Sequence, residues 1–218
     1  MMKIKFFTII LLAWVSWGCS TQDSSNTTLK YLEFAARGEG TSESKPIIYR
    51  LKVDANWIQH HPSPADPRAD TRQAIIEFYI VHQDEKIFVA IHNFPSDSIY
   101  QRPSPFTYIS RWKKQLHPLN PKTVSLTSQA FGGYYGFLFE GTGEIKGRQA
   151  TIFAWILQLA PEHYHHLVAP NSPYLLKKYR QMRSDVTIKA IGPPTLMKKY
   201  RQSIIAFARS FHLIEDLQ

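Results

Sequence analysis

Histidines form the cluster with the most evident chemical potential in this 218-residue chain, at His163, His165 and His166, with a second pair at His60 and His61. A zinc site on a helix typically takes histidines at positions i and i+4 together with a third ligand. Here His163 and His166 would share a helix face, but no His-Glu-x-x-His motif is present. The pattern favours a polar helix surface, so we expect neither a metal nor a cofactor. A metalloprotein remains the alternative.

Residues for nucleophilic or phosphate chemistry do not occur in a known catalytic spacing. No Gly-x-Ser-x-Gly motif is present. The glycine-rich run 132–136 lacks the lysine and the following helix of a phosphate-binding loop, and its glycines are typical of tight sheet geometry. Glu140 and Glu144 would form a glycosidase pair if they converged in a cleft, which the sequence does not establish. We therefore predict a protein that is not an enzyme, with an envelope hydrolase as the alternative.

A basic segment occurs twice, as Leu-Leu-Lys-Lys-Tyr-Arg-Gln at 175–181 and as Leu-Met-Lys-Lys-Tyr-Arg-Gln at 196–202. Both copies fall in predicted helices, where the cations would form a solvated face and the tyrosines would pack inward. Each Lys or Arg near an anionic surface contributes about 1 kcal/mol of binding. The sequence therefore predicts a surface for anionic lipid or an acidic envelope polymer. It comprises Lys177, Lys178, Arg180, Lys198, Lys199 and Arg201.

The N-terminus has the pattern of an export signal. Lys3 and Lys5 precede an apolar run at 6–15, which is shorter than the ~20 residues that span a bilayer. Gly18-Cys19 follows, and this ending resembles the signal of bacterial lipoproteins, in which the cysteine is lipidated. The resemblance implies a signal peptide over 1–18, a lipidated Cys19 and membrane anchoring, which acyl chains on one residue would make stable. An uncleaved signal anchor is the alternative.

Composition agrees with an exported, folded protein. A charged fraction of 20% and a hydrophobic fraction of 44% exclude wholesale disorder. The single cysteine excludes an internal disulfide framework. Removal of the signal takes two lysines from the net charge of +9 and leaves +7. Export makes nucleic acid an unexpected partner. Ser20 after the cysteine favours the outer over the inner membrane, with the chain facing the periplasm.

The remaining sequence is predicted to form one domain. The polar run 20–28 reads as part of a flexible tether that we extend over 19–44, followed by a single α+β domain over 45–218. A four-residue loop at 82–85 would join two strands as a hairpin, and its register would put Glu77 on the same face as Ala90 and His92. Strands are predicted over 47–53, 73–81, 86–94, 122–131, 134–140, 148–159 and 186–191.

The strand at 148–159 indicates how the layers are arranged. Phe153, Trp155, Leu157 and Leu159 would face one side of the sheet, while Ile152, Ala154 and Ile156 would face the other. A strand that is apolar on both faces is covered on both faces. We therefore predict an antiparallel sheet with helices packed on both sides, an α/β/α sandwich. Helices are predicted from Ser104 to Leu116 and over 160–168, 172–183 and 195–213, and a turn over 141–147.

The order of these elements resembles the Mog1/PsbP fold family. An early strand leads to Trp57, two long hairpin strands and a helix follow, and the terminal helix ends in the small and aromatic residues of 206–211. The resemblance implies an antiparallel sheet between helices, in a family whose members include bacterial envelope lipoproteins. It also implies a binding or assembly role, because most members of this family are not known as enzymes. It transfers no site residue.

Together these features predict an envelope lipoprotein that acts as a non-catalytic binding or assembly module. Its partners would be the membrane, through lipid on Cys19, and an envelope protein or an anionic lipid or polymer. A carrier of a small apolar or lipid ligand is an alternative, with a pocket between sheet and helices. Four aromatic residues would line that pocket: Trp57, Trp112, Trp155 and Tyr134.

Overall fold

A computed structural model describes residues 28–36, 47–62, 73–96, 99–163, 179 and 181–214. The strands in chain order are β1 (Leu29–Ala35), β2 (Ile47–Asp54), β3 (Ile58–His60), β4 (Ile76–His82), β5 (Glu85–Pro95), β6 (Leu119–Phe131), β7 (Tyr134–Ile145), β8 (Arg148–Leu159), β9 (Ser184–Gly192) and β10 (His212–Leu213). The α-helices are α1 (Pro105–Gln115), α2 (Pro194–Lys199) and α3 (Arg201–Arg209), and short 3-10 helices lie at Ile99–Gln101 and Pro161–His163. None of the helices in these ranges is long and apolar enough to cross a bilayer.

Seven strands form one antiparallel sheet in the order β3-β4-β5-β9-β8-β7-β6. The β4–β5 ladder places Glu77 opposite Ala90, so the predicted shared face is confirmed. The predicted four-residue loop is wrong, because His82 pairs with Glu85 and leaves a two-residue turn. Gln83 takes a φ of 53°, which suits such a tight hairpin turn.

The large sheet is covered on both faces, as the apolar pattern of β8 predicted. Phe153, Trp155, Leu157 and Leu159 pack into the larger of two hydrophobic clusters, beneath α2 and α3. Ile152, Ala154 and Ile156 pack on the opposite face against Ile109, Trp112 and Leu116 at the α1 side. The fold class is therefore confirmed: an α+β protein with helices on both faces of an antiparallel sheet.

A second, three-stranded sheet, β1-β2-β10, lies beside the larger cluster and was not expected. β1 pairs with β2 along its whole length, so the assignment of residues 29–35 to a flexible tether is wrong. The polar run 20–27, before it, lies outside the described residues. The physical reason is aromatic packing, since Phe34 is buried with its ring 5.6 Å from Tyr49 and 6.4 Å from Phe211.

The predicted terminal helix is two helices followed by a strand. Tyr200, with φ −95° and ψ 9°, separates α2 from α3. Ser210 ends α3, and its hydroxyl donates to the carbonyl of Phe207 and accepts from the backbone N–H of Lys52. The chain beyond it pairs with β2 as β10, so pairing with a distant strand overrides the helical pattern of the sequence.

The predicted turn at 141–147 is shorter than expected, because residues through Ile145 continue β7 and the turn is at Lys146-Gly147. Gly141 and Gly143 serve close packing instead. A side chain at Gly141 would approach Phe139 to 2.9 Å, and one at Gly143 would meet Leu116 at 3.0 Å. The predicted helices over 160–168 and 172–183 lie mostly outside the described residues, which include the short helix Pro161–His163.

Candidate functional site

Lys189 lies on the α1 side of the sheet between two alanines. In the strand register it pairs with Ala90 of β5 and with Ala154 of β8. Both alanines are buried, at 1% and 0% exposed, whereas Lys189 is only partly buried. Lys189 lines a depression on this face of the sheet, together with Thr187 of the same strand.

Helix α1 closes one side of this depression and completes a pocket of about 440 Å³. We call it the α1 pocket. Side chains from two strands, β5 and β9, and from α1 line it. They are His92, Phe94, Tyr108, Arg111, Trp112, Gln115, Thr187 and Lys189.

Positive charge dominates the α1 pocket. Burial lowers the pKa of Lys189, and the Arg111 guanidinium lowers it further. Within the described part of the chain, neither cation forms an ion pair with a carboxylate. Asp185, on the same face of β9, is already bound by Arg102 at 3.1 Å. Two neighbouring cations that have no carboxylate partner among the described residues favour an anion in the pocket.

Aromatic rings form the wall of the α1 pocket. The rings of His92 and Phe94 stack with centroids 6.5 Å apart, and Phe94 contacts Tyr108 at 5.1 Å. Trp112 continues the wall, 6.3 Å from Tyr108. Burial raises the pKa of Tyr108 to about 12, so its hydroxyl remains a neutral donor. This lining suits a ligand with a flat or apolar part beside its anionic group.

The wall is positioned by a buried ion pair at the entry to α1. Arg102 donates to Asp185, and also to the carbonyl oxygens of Leu159 at 2.8 Å and Ile99 at 3.3 Å. Burial raises the pKa of Asp185, while the Leu159 N–H and Arg102 act in the opposite direction. Ser104 then caps α1 by accepting from the N–H of Phe106, as its sequence position predicted. These contacts fix the start of the helix that carries Arg111.

Glu77 takes part in a separate cluster on the α1 side of the large sheet, next to the edge strand β3. Its Oε2 atom is 3.0 Å from Nδ1 of His60 and 3.4 Å from the hydroxyl of Tyr79. The register predicted from the sequence puts Glu77 on the same face as another histidine, His92 of β5. The partner in the structure comes from β3, a strand that was not predicted.

The predicted anionic-surface residues are partly described. Lys198 is exposed, and Nζ of Lys199 lies 3.0 Å from Nε2 of His82. Arg201 binds both carboxylate oxygens of Glu140, at 2.8 and 3.1 Å, so its charge is compensated. The expectation for Lys198 and Lys199 stays a prediction. The remaining predicted site residues lie outside the described ranges: Cys19, Lys177, Lys178 and Arg180.

The aromatic residues predicted to line one apolar pocket do not converge, so that prediction is wrong. Trp155 and Tyr134 are buried within the larger cluster. Trp57 lies at the edge of that cluster, with its ring 4.9 Å from Phe207. Trp112 belongs to the cluster on the opposite face of the sheet.

The histidine cluster is described only at His163, which packs over Gly133. His165 and His166 fall outside the described residues. Across the ranges that are described, no group of three or more His, Cys, Asp and Glu side chains is arranged to hold a metal.

The α1 pocket was missed although its sequence signal is present. In Val186–Ile191 the residues Val186, Ile188 and Ala190 alternate with Thr187 and Lys189. Such alternation indicates a strand with one polar face. In a sheet covered on both sides, polar residues on one face indicate that the covering layer leaves a gap there, and Thr187 and Lys189 line such a gap.

Comparisons with known proteins found similarity only among solved structures. No protein-family model and no curated protein sequence matches the chain. Among solved structures, it is similar to cyanobacterial PsbP (CyanoP) from Synechocystis sp. PCC 6803, at 12% identity and a TM-score of 0.48, over 86% of this chain and 94% of that chain. It is also similar to LpqN, involved in cell envelope biogenesis of Mycobacterium tuberculosis, at 10% identity and a TM-score of 0.47, over 86% and 92%. Both similarities concern the fold alone.

Proposed function

We propose that this protein is a non-catalytic binding module of the bacterial envelope, anchored by lipid on Cys19, and that the α1 pocket is its binding site. The ligand carries an anionic group, such as a carboxylate, phosphate or sulfonate, next to a flat or apolar part. The observation that carries the proposal is the pairing of Lys189 and Arg111 in an aromatic pocket without a carboxylate partner among the described residues.

The energetics of Lys189 favour binding over a structural role. A lysine that loses solvent and gains a cationic neighbour destabilises the folded chain, and a hydrophobic residue would fill the same place at lower cost. An anion between Lys189 and Arg111 would offset both effects through charge-assisted hydrogen bonds. Tyr108 and Gln115 can donate further hydrogen bonds at the rim.

Anchoring at Cys19 would hold the whole domain at the membrane surface. The basic segments with Lys198 and Lys199 would then face anionic lipid or polymer, as the sequence predicts. In this arrangement the chain binds its ligand close to the membrane and performs no covalent chemistry on it.

Binding of two fluorescent probes tests the pocket. The anionic probe is 1-anilinonaphthalene-8-sulfonate, and N-phenyl-1-naphthylamine is its neutral analogue without the sulfonate. We expect saturable binding of the sulfonate that weakens about tenfold or more in Lys189→Met and in Arg111→Gln, because each change removes a charge-assisted contact. Binding of the neutral probe should change little. Lys114→Gln, an exposed cation on the same helix, is the matched control.

Two results would contradict the proposal. Equal losses of both probes in the variants would mean that the cations do not contact the anionic group. Sulfonate affinity that stays at the wild-type value in both Lys189→Met and Arg111→Gln would place the probe elsewhere. Far-ultraviolet circular dichroism of each variant verifies that the fold is retained.

A further inference from the structure

A second, mostly apolar groove of about 330 Å³ lies on the other side of the large sheet, between α3 and the small sheet. We call it the β1 groove. Its floor is Trp57 and Phe207, and Ala206 of α3 forms one wall. Leu29, the first residue of β1, forms its rim with Lys52 and Asp54 of β2.

Leu29, Tyr31 and Lys52 share one face of the small sheet, because Leu29 pairs with Asp54 and Tyr31 pairs with Lys52. Leu29 and Tyr31 are 59% and 65% exposed, which is unusual for large apolar residues that neighbour a groove. Lys52 is exposed beside them, and its Nζ lies 5.1 Å from the centre of the Tyr31 ring. Lys30 is exposed on the other face of β1, which is the edge strand of the small sheet. Among the described residues that line the groove, Asp54 is the one acidic residue, and its carboxylate accepts from the N–H of Asn56.

The position of the β1 groove in the chain is informative. Nine residues, 20–28, separate Cys19 from Leu29. A chain of that length reaches at most about 35 Å when fully extended. Lipid on Cys19 would therefore keep the start of β1, and the groove beside it, close to the bilayer.

We infer that the surface formed by Leu29, Lys30, Tyr31, Lys52 and the β1 groove docks on an anionic bilayer. The inference rests on the proposed anchoring, which supplies the proximity. Tyrosine favours the headgroup layer, and lysines bury their aliphatic stems while their ammonium groups reach phosphates. Leu29 and the apolar floor over Trp57 would then receive the upper part of an acyl chain. Docking would orient the chain and keep the α1 pocket, on the opposite face, away from the membrane.

Vesicle co-sedimentation tests the docking surface without the lipid anchor. The protein is the exported chain with Cys19→Ser, and the vesicles contain phosphatidylcholine with or without phosphatidylglycerol. We expect binding to the mixed vesicles and a loss of about tenfold in affinity in the Leu29→Ser, Tyr31→Ser double variant. The matched control is Leu126→Ser with Tyr135→Ser, which removes one exposed leucine and one exposed tyrosine from β6 and β7.

The basic part of the surface has its own variant. Lys30→Gln with Lys52→Gln should weaken binding to phosphatidylglycerol vesicles about tenfold and leave weak binding to pure phosphatidylcholine unchanged. Lys122→Gln with Lys146→Gln removes two exposed cations from β6 and the β7–β8 turn and is the control. All four positions are exposed, so the substitutions leave the core intact.

Three outcomes would overturn the inference: no binding to anionic vesicles, wild-type binding by the Leu29/Tyr31 variant, or an equal loss in the Leu126/Tyr135 control. If the Leu29/Tyr31 variant loses crosslinks to an envelope protein while its vesicle binding is unchanged, that protein and not the bilayer occupies the β1 groove. Metabolic fatty-acid labelling of wild type and Cys19→Ser separates the two proposals. Equal labelling of both removes the anchor, whereas labelling specific to the wild type with no vesicle binding removes the docking surface alone.

Discussion

Lys189 combines a cost in stability with a proposed benefit in binding. The residue is partly buried beside Arg111, and its pKa is lowered chiefly because the charged form loses solvent. The pKa of Lys189 is therefore lower in the folded state than in the unfolded chain, where it is near 10.5. The stability of the wild type should rise with pH across the interval between these two values.

We expect Lys189→Met to stabilise the protein by about 1 kcal/mol at neutral pH, because a thioether of similar length needs no solvation. The gain should shrink as the pH rises towards and past 10.5, because only above that value is the wild-type lysine neutral in both states. Urea denaturation from neutral to alkaline pH measures this. A gain that stays constant with pH would show that methionine acts through packing rather than through the charge, and Lys114→Met provides the exposed comparison.

Residues also differ in how well their roles could be predicted. Ser104 as a helix cap and the two apolar faces of β8 follow from local spacing, and the structure has both. The environment of Lys189 depends on Ala90 and Ala154, which come from strands far apart in the sequence. A single residue pattern cannot supply such a neighbourhood, because register and strand order are set by the whole sheet.

Among the elements, the β6–β7 hairpin links the two sheets. Its turn glycines take positive φ values, 60° at Gly132 and 86° at Gly133. The carbonyl of Gly132 accepts from the N–H of Leu213 in β10, 3.2 Å away. The expectation that glycines here permit close sheet geometry is therefore confirmed, and the close neighbour is the small sheet.

Gly132→Ala should destabilise the protein by about 3 kcal/mol or more, because its methyl group would meet the backbone of His212 at 2.7 Å in addition to the strain of a positive φ. Gly147→Ala is the matched control. Gly147 also has a positive φ, of 75°, but a methyl group there has no neighbour within 4 Å. Its cost should be about 1 kcal/mol, from the backbone alone.

Thermal and urea denaturation of the two variants give the difference. Equal losses at Gly132 and Gly147 would contradict the argument, since they would show that the backbone conformation explains the whole effect. A larger loss of unfolding free energy in Gly132→Ala, with unchanged cooperativity, would show that the contact between the hairpin and the small sheet stabilises the folded state.

Elements were predictable from the sequence where a strand is long and its pattern is regular, as for β2, β5 and β8. Elements whose bounds depend on tertiary contacts were not predictable. The separation of α2 from α3 at Tyr200 and the pairing of His212–Leu213 with β2 both follow from contacts with distant residues. The same reason explains β1, whose pairing partner and aromatic neighbours lie elsewhere in the chain.

For the molecule as a whole, the large sheet separates two surfaces with different chemistry. One face carries the α1 pocket with its two cations, and the other carries the small sheet and the β1 groove. This division agrees with a module that would approach the membrane on one side and bind its ligand on the other. Because β1 pairs with β2, it belongs to the folded unit, and that unit therefore begins before residue 45.

The start of the folded unit can be tested by truncation. A chain that begins at Thr28 keeps β1, whereas one that begins at residue 45 lacks it and exposes the edge of β2. We expect the first to match the exported chain in urea denaturation. The second should lose about 3–5 kcal/mol or fail to fold, because Phe34 leaves the aromatic cluster with Tyr49 and Phe211. The full-length Phe34→Ala variant separates the lost side chain from the lost backbone pairing. If the chain from residue 45 is as stable as the chain from Thr28, β1 contributes nothing to the folded unit and the boundary predicted from the sequence is restored.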